Sequence, residues 1–333
     1  MPLPTERLPD LHAPLLVFGF VGTLISLERA VALRTAWAYA APALFAIGAI
    51  ALLVPLPLLV GQAIIAVGAI MHCAQYAAIW RRQPMTATAV QGVGAVLAVT
   101  AALAWCGDVP PAWLVPQLAA FLVLTIAGER LELARISNPG RRAENQLLWL
   151  GVGLAASTLL SLTMPAVAVP FAGTALVAIV AWLVRYDVAR ATLRQPGLPK
   201  YVAVCLLTGY AWLVVAGLGW LLGGARTEGA LYDATTHAIF LGFVITMIMA
   251  HAPIILPAVL RVRIPYHPAL YVPVALLQAS LLVRVVVGDA WGILIGLQVG
   301  GIGAAAAMVL FGVTAITVAL RDPQRARKNR VEA

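Results

Sequence analysis

Apolar runs of about 20 residues recur along almost the whole chain, and they restrict its fold more than any other feature. A run of that length crosses the hydrocarbon core of a bilayer as an α-helix, whose backbone groups are all hydrogen-bonded internally. Of the 333 residues, 62% are hydrophobic and only 11% are charged, against roughly a quarter charged in soluble domains. The sequence therefore predicts an all-α polytopic membrane protein.

Proline and glycine residues divide the apolar runs into about eleven predicted transmembrane helices. The predicted spans are 12–33, 36–55, 58–80, 86–106, 112–134, 146–163, 166–188, 201–222, 232–258, 268–287 and 292–320. We expect a single transmembrane helical domain at 12–320, a short extracytoplasmic tail at 1–11 and a basic cytoplasmic tail at 321–333. The expected location is the cell inner membrane, with the lipid bilayer as the main partner of a multi-pass protein.

The basic residues predict how the chain is oriented, because lysine and arginine are enriched in cytoplasmic loops. They occur in alternate loops and in the tail, at Arg34, Arg81, Arg82, Arg135, Arg141, Arg142, Arg190, Arg194, Lys200, Arg261, Arg263, Arg321, Arg325, Arg327, Lys328 and Arg330. With an odd number of helices, this alternation predicts the N-terminus outside and the C-terminus in the cytoplasm. The net charge of +9 is then a topology signal, and no nucleic acid is expected as a partner.

A faint internal repeat indicates a four-helix period. The motif E-R-x-x-x-x-R begins at Glu28 and again at Glu129, near the ends of predicted helices 1 and 5. Predicted helices 1 and 9 share the similar stretches GFVGTLI and GFVITMI. For Glu28, Arg29, Glu129, Arg130 and Glu132 we expect interhelical ion pairs, with a proton route as the alternative.

Four histidines lie within or at the edge of predicted helices, namely His12, His72, His237 and His251. Ionisable side chains inside membrane spans are costly and usually mark function. Measured from the basic cytoplasmic ends, His12 and His237 share an outer level, and His72 and His251 share an inner level. Two imidazoles from facing helices can ligate one b-type haem. The histidines therefore predict one or two haem b groups, held by the outer pair, the inner pair or both.

The spacing of His237 and His251 supports two levels on one helix. Fourteen residues of α-helix advance about 21 Å and return to within about 40° of the same face. Arg284, near the outer end of its helix, is a candidate partner for a haem propionate, because a guanidinium pairs well with a carboxylate.

Two other interpretations of these residues stay open. Met71, His72 and Cys73 in sequence, with Met247 four residues before His251, offer soft ligands for copper. Alternatively, Pro253 and Pro257 remove helix donors, Pro253 leaving the carbonyl of Met249 without its usual partner. A helix break there would suit the midplane site of a secondary transporter.

The stretches THAIFLGFVITMIMAHAPIILP and HAPLLVFGFVGTLISLERAVAL resemble the NnrS-type membrane proteins, a multi-helix bacterial family. The resemblance includes His12 with the Gly-Phe that follows it, and His237-Ala238 opening a late helix. The typical H-x-H-E-M cluster of that family is replaced here by Leu11-His12-Ala13-Pro14. The resemblance implies a membrane protein that binds haem, with copper as a further metal. It also implies that the protein handles electrons from a donor or a diatomic ligand such as nitric oxide.

Overall fold

The computed structural model describes residues 8–135, 139–260 and 264–321. In that part of the chain the structure is 87% helix and contains no strand, which confirms the all-α class. Residues 1–7 and 322–333, and with them most of both predicted tails, lie outside the described residues. So do Arg261 and Arg263, which were used to predict the orientation.

Eleven long helices follow one another along the described chain. The first seven are α1 (8–33), α2 (Ala40–Leu53), α3 (Leu58–Arg82), α4 (Thr86–Cys106), α5 (Pro111–Ala134), α6 (Arg141–Leu160) and α7 (Pro165–Tyr186). After a short helix at Ala189–Thr192 come α8 (Leu198–Gly223), α9 (230–260), α10 (268–290) and α11 (Leu294–Leu320). A 3₁₀ turn at Ala36–Tyr39 leads into α2, and another at Pro268–Leu270 begins α10.

Ten of these described helices are long and apolar enough to cross a membrane, one fewer than the sequence predicts. The exception is α6, predicted at 146–163. In the structure α6 starts earlier, at Arg141, so its first two turns carry Arg141, Arg142, Glu144, Asn145 and Gln146. Those charged and amide side chains lower the mean hydropathy of the helix.

The helices group into two compact units, Met1–Tyr186 with α1 to α7 and Asp187–Ala333 with α8 to α11. The single transmembrane domain expected at 12–320 stays a prediction. In the first unit α5 is the central helix, with 83% of its most apolar window buried. In the second unit α9 has that position, with 67% buried. Outer helices are far more exposed and present large apolar side chains, as expected for contact with lipid, including Phe171, Leu222 and Ile302.

Glycine residues allow the close packing of α4 against α5. A Cβ added at Gly94 would lie 2.9 Å from the carbonyl oxygen of Phe121, and one at Gly128 would lie 2.8 Å from that of Ala87. Small residues let membrane helices approach closely, and this packing replaces the hydrophobic drive that lipid does not provide. The contact between these two helices therefore depends on the absence of a side chain at both positions.

Three helices change from α- to π-helical geometry over eight residues each. The π-helical segments are Leu15–Gly22 in α1, Ala238–Ile245 in α9 and Val283–Ala290 in α10. The GFV motifs of the predicted repeat lie in the first two of these segments. Stretches of π-helix are rare and are often found at functional sites.

We expect Gly94→Ala to destabilise the protein, because its new Cβ would press on the backbone oxygen of Phe121, which cannot move aside as a flexible side chain can. Overpacking of this kind costs about 1–3 kcal/mol, which should appear as a lower melting temperature in detergent. Gly153→Ala is the matched control, because an added Cβ there meets no atom within 4 Å. Equal melting temperatures for the two variants would contradict this account of the α4–α5 contact.

Candidate functional site

His72 lies fully buried in the middle of α3, and Gln75 fixes its protonation pattern. The Nδ1 atom of His72 is 2.8 Å from the Oε1 atom of Gln75. The amide nitrogen of Gln75 donates to the carbonyl oxygens of Ser26 at 3.0 Å and Ala38 at 2.7 Å. Because that nitrogen is occupied as a donor, the amide oxygen faces His72 and Nδ1 must carry the ring proton. The Nε2 atom of His72 is then the nitrogen with the lone pair.

The Nε2 atom of His72 is buried and has no hydrogen-bond partner among the described residues. Aromatic rings surround the imidazole edge-on, with centroids at 5.0 Å for Tyr76, 5.9 Å for Phe121 and 6.2 Å for Phe45. Leaving a buried acceptor unsatisfied costs about 1–3 kcal/mol. The lone pair of Nε2 therefore lies in apolar surroundings, as the lone pair of a metal-ligating nitrogen would.

An ion-pair cluster between α1 and α5 lies in the same unit as His72. One nitrogen of Arg29 is 2.6 Å from Glu28 and 3.3 Å from Glu129, and all three side chains are largely buried. The interhelical ion pair predicted from the repeated motif is confirmed for Arg29 and Glu129. This ion pair directly links the two copies of the motif, one on α1 and one on α5.

His237 and His251 on α9 show the same protonation pattern as His72, by a different route. The Nδ1 atom of His237 is 2.8 Å from the carbonyl oxygen of Asp233, and that of His251 is 2.7 Å from the carbonyl oxygen of Met247. A carbonyl oxygen only accepts, so Nδ1 is the donor in both rings, and in the neutral form of each ring Nε2 bears the lone pair. Histidines that ligate metals are commonly held in this way through the nitrogen that does not ligate.

The expectation that His237 and His251 share one face assumed an α-helix throughout. The π-helical segment Ala238–Ile245 lies between them. In a π-helix each backbone hydrogen bond joins residues five apart instead of four, so each residue rotates the chain by less than in an α-helix. The α-helical estimate of about 40° between the directions of His237 and His251 therefore does not apply to this helix.

Arg284 is bound by a carboxylate of the protein. Its Nε and Nη2 atoms are 2.8 Å and 2.7 Å from the two oxygens of Asp233, and Nη1 donates to the carbonyl of Leu297 at 3.1 Å. One oxygen of Asp233 also lies 3.3 Å from Nδ1 of His237. Arg284, Asp233 and His237 are thus one connected polar network in the second unit. The role of Arg284 toward a haem propionate stays a prediction.

The two predicted ligand pairs each join residues of different units. His12, whose side chain is exposed near the start of α1, and His72 belong to the first unit. His237 and His251 belong to the second unit. The pairings His12 with His237 and His72 with His251 therefore stay predictions. Within the described part of the chain, no three or more His, Cys, Asp or Glu side chains are grouped to hold a metal ion.

The expected helix break at Pro253 and Pro257 does not occur, because α9 remains helical from Thr246 to Leu260. The carbonyl of Met249 was predicted to lose its helical partner, and it accepts a hydrogen bond from the hydroxyl of Tyr201 at 3.1 Å. A side chain of α8 thus replaces the donor that Pro253 lacks. The transporter interpretation loses the break on which it depended.

We expect Arg284→Met to lower the free energy of unfolding by about 2 kcal/mol, since it leaves the partly buried Asp233 without its counter-charge. Thermal unfolding in detergent would measure the loss. Asp233→Leu combined with Arg284→Met should recover part of it, because the double variant removes both members of the ion pair. Arg226→Met, at an exposed position in the loop before α9, is the control. The network would have no structural role if Arg284→Met unfolded at the same temperature as that control.

No curated protein and no solved structure matches the chain. The model of one protein family, described as Domain of unknown function (DUF8744), matches residues 1–320, which is nearly the whole chain. The chain therefore belongs to the DUF8744 family.

Proposed function

We propose that this chain is a bacterial inner-membrane protein that binds b-type haem through imidazole ligands and handles electrons or a diatomic ligand such as nitric oxide. The observation that carries the proposal is the buried Nε2 atom of His72, which has no partner among the described residues while Nδ1 is held by Gln75. The resemblance of the His12 and His237 stretches to the NnrS-type proteins supports the same function.

The donor set suits haem better than a bare metal ion. His72, His237 and His251 stand on separate stretches of helix, and each has Nδ1 engaged and Nε2 as the lone-pair nitrogen. Porphyrin supplies four nitrogen ligands of its own, so a haem needs only one or two such imidazoles from the protein. A copper ion would have to draw all its ligands from side chains, such as Met71 and Cys73 beside His72 or Met247 beside His251.

The protein itself would hold and orient the ligand nitrogens and exclude water. Gln75 prevents the imidazole of His72 from rotating or changing its tautomer, because its amide is anchored to backbone carbonyls at Ser26 and Ala38. Phe45 and Phe121 surround the ring with apolar surface. When bound, haem would supply a redox centre or a site for a diatomic molecule, with a potential that depends on this burial.

Protein purified from haem-replete cells should show the Soret and α bands of haem b, and a pyridine haemochrome assay should count one or two haems per chain. His72→Leu should lose the haem that depends on His72, because leucine fills the same space without a donor nitrogen. His267→Leu is the matched control, since His267 is exposed in a loop where its side chain accepts from the backbone of Ala269.

Thermal unfolding of His72→Leu would establish that the variant is folded. A parent protein without a Soret band would refute the haem proposal. A folded His72→Leu variant with the full spectrum of the parent would remove His72 from the ligand set.

The basic loops support an orientation with the N-terminus outside and the C-terminus inside. This orientation requires α6 to cross the membrane together with the ten more apolar helices. A reporter inserted at Gly229, between α8 and α9, should then be periplasmic. A reporter inserted at Gly197, just before α8, or fused after Arg330 should be cytoplasmic. If the Gly229 and Gly197 reporters lay on the same side of the membrane, α8 could not cross the bilayer. If all three reporters lay on the side opposite to the one expected, the predicted orientation would be wrong.

A further inference from the structure

A groove of about 980 Å³ lies between α6 and α7, and no histidine is among the residues that line it. Arg142, Asn145, Gln146 and Trp149 line it from α6, at spacings that place them on one face of the helix. Arg185 and Tyr186 line it from the end of α7. All of these residues belong to the first unit.

Trp182 and Tyr186 of α7 form one wall of the groove, and a hydrogen bond fixes this wall to α6. The indole nitrogen of Trp182 in α7 donates to the carbonyl oxygen of Ala143 in α6 at 2.8 Å, which fixes the two helices to each other. The ring of Tyr186 packs against Trp182 with centroids 5.1 Å apart. The guanidinium of Arg185 lies 5.4 Å from the centre of the Tyr186 ring, so an aromatic surface holds this cation beside the groove.

The groove carries uncompensated positive charge. Arg142 and Arg185 are both exposed, and neither forms an ion pair with a carboxylate in the part of the chain that the structure describes. They lie where α6 begins and α7 ends, at the end of both helices that the positive-inside rule assigns to the cytoplasm. Anionic lipids are concentrated in the cytoplasmic leaflet, and basic pockets between helices on that side bind their head groups.

The order of side chains along the groove matches the order of groups in a phospholipid. Along α6 the lining changes from a cation at Arg142 to amides at Asn145 and Gln146, then to Trp149 and Leu150. The nine residues from Arg142 to Leu150 cover about 12 Å of helix. This distance suits a charged head group, a polar glycerol ester region and the start of an acyl chain. Trp149 is 71% exposed, as is typical of tryptophan at a membrane interface.

We propose that this groove binds an anionic phospholipid, with Arg142 and Arg185 on the phosphate of the head group and Trp149 beside the ester region and upper acyl chain. The site does not depend on haem. Free inorganic phosphate shares the charge of the head group, but it would leave the aromatic and aliphatic part of the groove unfilled.

The test uses the delipidated full-length protein, with dioctanoyl-phosphatidylglycerol, dioctanoyl-phosphatidylcholine and inorganic phosphate titrated separately. The dependence of melting temperature on ligand concentration gives each apparent affinity. We expect phosphatidylglycerol to bind more tightly than either of the other two. Arg142→Gln and Arg185→Gln should each weaken its binding by about fivefold, and the double variant by about 25-fold.

Arg81→Gln is the matched control, since it removes one exposed charge from the end of α3 that is assigned to the same side of the membrane. This variant should bind phosphatidylglycerol like the parent. Equal affinity for phosphatidylcholine, or parental affinity in a folded Arg142→Gln/Arg185→Gln variant, would overturn the proposal. Inorganic phosphate binding as tightly as phosphatidylglycerol would identify a phosphate site instead of a lipid site.

Discussion

Polar groups inside a bilayer must find their hydrogen-bond partners within the protein, and this requirement shapes most of the interactions in this chain. Where Pro253 cannot donate, the hydroxyl of Tyr201 donates to the carbonyl of Met249 and α9 stays helical. The amide of Gln75 donates to carbonyls at Ser26 and Ala38, which connects α3 to α1 and to the turn before α2. These hydrogen bonds fix the positions of neighbouring helices relative to each other, which apolar packing alone specifies less strictly.

The same requirement determines which ring nitrogen of the histidines donates a hydrogen bond. His237 and His251 each donate from Nδ1 to a carbonyl one turn earlier, and His72 donates to Gln75. Three histidines thus satisfy one ring nitrogen by local bonds and acquire the same tautomer. Buried polar groups are usually paired. The Nε2 atom of His72 is one of several buried side-chain atoms without a described partner, and it is the imidazole nitrogen among them. The proposed function depends on that exception.

Much of the fold could be predicted because the apolar runs that a bilayer requires, and the prolines between them, are strong local patterns in a sequence. The predicted helix at 86–106 coincides with α4, and the prediction of 36–55 ends two residues beyond α2. The start of α6 was missed since its polar first turns look like a loop in a hydropathy profile. The grouping of the helices into two units depends on long-range packing, which hydrophobic periodicity does not report.

The candidate site could be predicted only in part. The histidines stand out as ionisable residues in apolar runs, whereas their partners do not. Gln75 could have been found from its spacing of three residues after His72, which places both on one face of α3. The pairing of Asp233 with Arg284 spans 51 residues, and no local pattern indicates it. The π-helical geometry of α1 and α9 was also missed, and the shared GFV stretch is the only signal that accompanies it.

The π-helical segment Leu15–Gly22 sets the angular phase between the two halves of α1. Converting the segment to α-helix at the same length would turn one half of α1 relative to the other, because a π-helix rotates less per residue than an α-helix. Either His12 would leave its present direction, or Arg29 would swing away from Glu129. Substitutions that favour α-helical geometry within this stretch are therefore as consequential as substitutions of the charged residues themselves. Alignments of α1 with α9 should accordingly be anchored on the α-helical halves separately.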